Sequence, residues 1–163
     1  MLRKLVFALS ISLSLASTAQ GQSAELMQGA SELMAKFQQG EMRDMLATAS
    51  KVAGLAEKEF GPNDPDYAFL LFFTGMAQAD AGLYQEARGS FDKSISILNS
   101  ISRFQPHQVT YLGYLYFGYG NLHNAMGDFA SAEEYLWKSA KFLEGKTGKD
   151  AVSFFNDKAV GGS

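Results

Sequence analysis

Cysteine is absent from the 163 residues. That excludes a disulfide framework, a thiolate zinc site, a cysteine nucleophile and a lipid anchor on a cysteine. Proline occurs 3 times and histidine twice. Few prolines leave long stretches free to be helical, and two histidines are too few for a histidine-rich metal centre. An excess of positive charge is also lacking. Lys+Arg total 14 against 17 Asp+Glu, for a net charge of −3. The basic residues are scattered, without the stripe that a nucleic-acid partner requires. What is present is an ordinary globular composition, 47% hydrophobic and 19% charged. The length suits one domain able to bury a sizeable core. Glycine is plentiful at 16 and aromatics reach 13%, which suggests helices punctuated by tight turns.

The first twenty residues read as a leader rather than as fold. Arg3 and Lys4 form a basic start, Leu5 to Ala16 is apolar apart from Ser10, Ser12 and Ser14, and Ser17-Thr18-Ala19 supplies small residues. This order is the pattern of a cleaved secretory signal peptide at 1–19, with Gly21 as the second choice of cleavage site. The apolar run is shorter than the roughly 20 residues a spanning helix needs, and no later segment makes a convincing membrane span. Loss of Arg3 and Lys4 leaves 12 basic and 17 acidic residues. The expected location is the bacterial periplasm or the medium.

A repeat organises the rest. Gly40-Glu41-Met42, Gly82-Leu83-Tyr84 and Gly127-Asp128-Phe129 each place a large apolar residue two positions after glycine, and Met45, Ala87 or Ala132 three positions later. The glycines are 42 and then 45 residues apart, a period that points to a helical array. After Gly82 the apolar stripe runs Tyr84, Ala87, Phe91, Ile95, Leu98; after Gly127 it runs Phe129, Ala132, Leu136, Ala140, Leu143. Steps of three and four mark one buried face of a helix. Each glycine can end a helix in the left-handed conformation. Asp128 can cap the next helix, and Asp64-Pro65 reads as another helix start. Ala68–Phe73 and Val109–Tyr119 are apolar nearly all round, as helices sandwiched between neighbours are. Propensity alone favours a strand for Val109–Tyr119; the repeat register makes it a helix.

On these residues the chain resembles the tetratricopeptide repeat (TPR) family. In one unit Leu71, Gly75, Gly82, Tyr84, Ala87, Phe91 and Ser94 match the family pattern; in the next, Tyr116, Gly120, Gly127, Phe129, Ala132, Leu136 and Ser139 do. The first unit departs from it, with Gly29 and Leu33 in place of the large and small residues. The long units and the segment Glu57–Pro65 resemble the kinesin-light-chain-like subgroup, and Glu144–Asp150 is a weaker echo of that segment. The resemblance implies an all-α superhelix, a right-handed solenoid of about three hairpins over 23–150 (units 23–66, 67–108 and 109–150). Residues 151–163 follow, with Val152, Phe154, Phe155 and Val160 on a half-helix that caps the last pair, and a frayed end.

Candidate chemistry is thin. His107 and His123 have no acidic residue at metal-ligand spacing. Glu133 and Glu134 are adjacent on a helix and point apart; Asp64 and Asp66 read as turn and cap residues. No phosphate-binding loop, nucleophile elbow or zinc-protease helix occurs. The reading is a non-catalytic chain without cofactor or metal. The TPR resemblance implies a concave groove lined by Phe69, Phe72, Met76 and Asp80, then by Tyr114, Phe117, Asn121 and Asn124, with Met27, Met34 and Gln38 as weaker equivalents. Aromatics bury area, and an asparagine amide can bond a backbone in either direction. A protein or peptide partner is therefore expected. Groove Lys and Arg, which clamp a terminal carboxylate in chaperone-binding members, are lacking. The alternative is a structural homodimer joined through apolar end faces.

Intact-mass analysis of the exported protein is expected to give a chain beginning at Gln20 or Gln22. Retention of Met1 to Ala19 in the mature product counts against the leader reading.

Overall fold

The computed structural model describes residues 23–103 and 108–144. The expected leader, His107, the echo segment after Glu144 and the capping half-helix at 151–163 lie outside them. Six helices follow one another: α1 (Ala24–Gln39), α2 (Met42–Phe60), α3 (Pro65–Asp80), α4 (Tyr84–Ser100), α5 (Tyr111–Ala125) and α6 (Phe129–Glu144), with a 3₁₀ turn at Gln108–Thr110 before α5. Among the described residues there is no strand, so Val109–Tyr119 is a 3₁₀ turn running into a helix.

Local chemistry sets the ends. Ser23 caps α1 by accepting from the Leu26 N–H at 3.1 Å. Asp64 caps α3 by accepting from the N–H groups of Asp66 and Tyr67, with Pro65 in the first turn, where its missing donor costs nothing. Gly40, Gly82 and Gly127 share one left-handed backbone, each with φ 79°. In each case the residue after the glycine donates back into the preceding helix: Glu41 to the Lys36 carbonyl, Leu83 to Gln78 and Asp128 to His123, at 2.9–3.0 Å. This is the glycine-terminated helix end expected from the sequence. Asp128 then accepts from the Ser131 N–H at 3.2 Å, starting α6.

Such short turns fold consecutive helices back on one another. The contacts run in opposite senses along each pair, so the pairs are antiparallel. In α1 and α2, Glu25 meets Lys51, Glu32 meets Thr48, and Lys36 meets the Asp44 carbonyl. In α3 and α4, Lys93 meets Tyr67 and Ser90 meets Gln78. Between α3 and α5 the contacts instead advance together: Asp66 with Tyr111, Phe69 with Tyr111 and Tyr114, Phe72 with Tyr114. These helices are parallel and offset by about one repeat.

One hydrogen bond recurs in both hairpins that match the sequence pattern well. The buried Ser94 hydroxyl donates to the Ala68 carbonyl at 2.5 Å, and the buried Ser139 hydroxyl to the Gly113 carbonyl at 2.7 Å, each across 26 residues. Gly75 and Gly120 occupy equivalent places. A Cβ added at Gly75 would lie 2.5 Å from Phe91, and one at Gly120 would lie 2.6 Å from Leu136. The first hairpin reverses this arrangement. Its close approach is at Gly29, where an added Cβ would lie 2.6 Å from Val52. Val52 stands where the other two hairpins have serine.

The core centres on α3. Every residue from Tyr67 to Ala77 is buried, because α2, α4 and α5 all pack on it. Its rings join the units: Phe73 meets Phe37 of α1 edge-on at 5.2 Å, and Phe69 stacks on Tyr111 at 4.0 Å. Burying each such phenylalanine contributes about 1.5–3 kcal/mol. Helices α1, α2 and α4 bury one stripe each, as their spacing predicts, whereas of the stripe expected on α6 only Ala132 is buried.

Ala132 on α6 is 4% exposed, whereas Ala130 is exposed. Ala132→Trp is expected to cost roughly 1–3 kcal/mol by overpacking, and Ala130→Gln to stay within about 0.5 kcal/mol. Thermal melts of the two variants test this; equal losses contradict it.

Candidate functional site

Several titratable groups tie helices to one another. The His123 Nδ1 lies 3.0 Å from an Asp128 carboxylate oxygen. Its ring packs with Tyr119 and Tyr135, which are themselves stacked at 5.0 Å. The Tyr119 hydroxyl donates to Asp92 of α4. This group therefore pins α5 to the turn, to α6 and to α4. Glu134 pairs with Lys138 at 2.5 Å on an exposed surface. Lys93 donates to Glu57 and to the Tyr67 hydroxyl, tying α4 to α2 and α3. Among the described residues, no three His, Asp or Glu side chains converge as a metal site would need.

Every resolved pKa shift moves its group away from neutrality. Hydrogen bonds from Lys51, Thr48 and Lys93 lower Glu25, Glu32 and Glu57 respectively. Bonds to Tyr67 and Glu57 raise Lys93. Burial, reinforced by Asp66, pushes Tyr111 well up. Burial raises Tyr114 to about 12. Burial and the bond to Asp92 raise Tyr119.

The sequence-predicted groove residues separate into two groups. Phe69, Phe72 and Met76 on α3 are buried at 4%, 0% and 9% exposure. All three belong to the core, with Phe69 and Phe72 beneath α5. The cause is the all-round apolar character of α3: Tyr111 and Tyr114 lie against the rings that the groove reading left open. Asp80 is exposed and lies 3.8 Å from Arg43. On α1, Met27 and Gln38 are exposed and Met34 is half-buried.

The α5 group stays together. Tyr114, Phe117, Asn121 and Asn124 are three, four and three residues apart, on one side of α5. Tyr114 is half-buried against Phe69 and Phe72. Phe117 is 39% exposed, Asn121 is half-buried and Asn124 is exposed. The amides are therefore not the deeply buried pair that would demand an internal partner.

Three features were not read from sequence. Asp66 is more than a turn residue: it accepts from the Tyr111 hydroxyl at 2.8 Å and from Gln108 at 3.3 Å, fixing the start of α5 on α3. Its one-repeat spacing from Tyr111 was the available signal. A second is a depression of about 270 Å³ between α1 and α2, lined by Gln28, Gly29, Val52 and Leu55 and rimmed by the Lys51–Glu25 and Thr48–Glu32 pairs. The third is the outer side of α6, where Phe129, Leu136 and Trp137 are 69%, 36% and 59% exposed. Spacing alone put Phe129 and Leu136 on a buried stripe.

Tyr114 generates a pH prediction. Its phenol ordinarily ionises near 10 and here at about 12. Between those values the unfolded chain loses the proton first, so the folded state loses stability as pH rises through this window and keeps it below. Unfolding midpoints measured from pH 9 to 12 should fall over that range, and Tyr114→Phe should soften the fall. An equal slope in both proteins counts against it.

Comparison with family models, with curated proteins and with solved structures returns no match.

Proposed function

We propose that this chain is an exported, non-catalytic protein-interaction module of TPR type, which holds a segment of a partner protein against α5. The observation that carries the reading is the α5 face: Tyr114 and Phe117 beside Asn121 and Asn124, with Phe117 and Asn124 exposed and Tyr114 and Asn121 half-buried. Aromatic rings supply contact area at small entropic cost, and asparagine amides can pair with both N–H and C=O groups of an extended backbone. The repeated serine-to-carbonyl bonds and the three identical glycine turns support a solenoid of three hairpins, right-handed as in the TPR family. The basic, apolar and small-residue order of the first nineteen residues supports export. No described helix is long and apolar enough to cross a membrane.

The site is smaller than an eight-residue groove. With Phe69, Phe72 and Met76 in the core, binding rests on the four α5 residues and on Asp80 at the end of α3. Capture of a partner by the mature chain from its own envelope fraction, followed by affinity measurements on variants, tests the reading. Removing one ligand-paired amide costs about 0.5–1.5 kcal/mol, up to about tenfold in affinity. The Asn121→Ala/Asn124→Ala double variant is expected to bind at least that much more weakly and to melt as the parent does. Phe117→Ala should also weaken capture, with little loss of stability because the ring is already partly exposed. Undiminished affinity in a folded double variant places binding elsewhere.

A further inference from the structure

One position recurs at the end of each glycine turn. Lys36, Gln78 and His123 supply the carbonyls that accept from Glu41, Leu83 and Asp128. In each hairpin the side chain of that same residue also crosses to the second helix or its cap. Lys36 donates to the Asp44 carbonyl at 3.1 Å, and the Gln78 amide oxygen accepts from the Ser90 hydroxyl at 2.7 Å. The His123 Nδ1 lies 3.0 Å from a carboxylate oxygen of Asp128. The position is thus a latch in all three hairpins, and its chemistry differs in each. Lysine keeps its charge at ordinary pH and glutamine never carries one. Histidine is the side chain whose charge changes between pH 5 and 8.

The surroundings of His123 attract positive charge in three ways. Asp128 is a carboxylate at bonding distance. Its carboxyl is held below the usual range by the hydroxyl and N–H of Ser131, with His123 contributing, so it stays ionised at neutral pH. The last turn of α5, to which His123 belongs, carries the negative end of the helix dipole. The ring also lies nearly parallel to Tyr135 of α6, at 5.4 Å and 15°, and to Tyr119, at 6.3 Å and 26°. Tyrosine faces favour a cation beside them. Burial opposes the charge, since the side chain is 11% exposed. So do two cations, Lys138 of α6 and Arg88 of α4. Each acts on a tyrosine rather than on the imidazole: Lys138 lies over the Tyr135 ring and pairs with Glu134, and Arg88 acts on the Tyr119 hydroxyl, which bonds Asp92. The one carboxylate in direct contact outweighs both.

We propose that His123 is a proton-operated latch on the third hairpin: protonated, it clamps the end of α5 to Asp128 at the head of α6, and on losing the proton it lets the hairpin loosen. An unfolded chain leaves the same proton surrounded by water. The stability gained is therefore present at acid pH and is lost as pH rises through the range in which histidine discharges. The latch is independent of what α5 binds, so no partner is needed to test it.

The chain has two histidines and no cysteine, so between pH 5.5 and 7.5 few side chains change charge. Amide exchange of α6, corrected for its intrinsic pH dependence, reads the hairpin. Protection is expected to fall by about two- to fivefold across this range. His107→Gln should keep the fall and His123→Gln should remove it. Asp128→Asn should remove it too, because asparagine caps a helix as well as aspartate does but carries no charge. A flat profile in the unmodified protein overturns the proposal, as does protection that rises with pH. So does a fall that survives in a folded His123→Gln variant, or one that His107→Gln abolishes. Should His123→Gln fail to fold, Asp128→Asn decides alone, and an undiminished fall there is equally fatal.

Discussion

A helix with no polar side cannot remain at a surface, and α3 is such a helix. From Tyr67 to Ala77 it is buried on every side. Three neighbours are needed to cover it, and α2, α4 and α5 are held in place by that demand. Each buried ring contributes about 1.5–3 kcal/mol, while an exposed pair such as Lys51–Glu25 contributes about 0–1. Packing around α3 therefore decides the architecture, and the surface ion pairs decorate it.

Apolar contact alone would let helices slide, and a small set of polar groups prevents it. Ser94 and Ser139 each reach one carbonyl of the preceding helix. A slip of one turn would strand a buried hydroxyl and a buried carbonyl, at about 1–3 kcal/mol for each group. Asp66 does the same between units by holding Tyr111 and Gln108. The glycines at 75, 113, 118 and 120 complete this fit, since an added Cβ at each would lie within 3 Å of a neighbouring ring or leucine.

What could be read in advance was whatever depends on nearest neighbours along the chain. The glycine turns at 40, 82 and 127, the Asp64 cap and the one-sided stripes follow from backbone preference and helical phase, and the helices carry them. The groove was harder. Phase assigns Phe69 and Phe72 to one side of α3, but on a helix apolar all round it cannot say which side is covered, and α5 covers theirs. The exposure of Phe129 and Leu136 was also out of reach, because helical phase says which residues share a side of α6 and not what covers that side. Asn121 and Asn124 share a side of α5 with Tyr114 and Phe117, as phase requires, but lie at a shallower depth than a buried amide would have.

The glycine turns have a mechanical consequence. Each closes its hairpin through bonds between residues five apart in sequence, so little chain entropy opposes re-closing after a fluctuation. Hairpins that close independently loosen one at a time, beginning where the fewest neighbours hold them. Pulled from its C-terminal side, the molecule would yield α6 first and the helices around α3 last. Tension would then shorten the array by whole hairpins while the remainder kept its folded form.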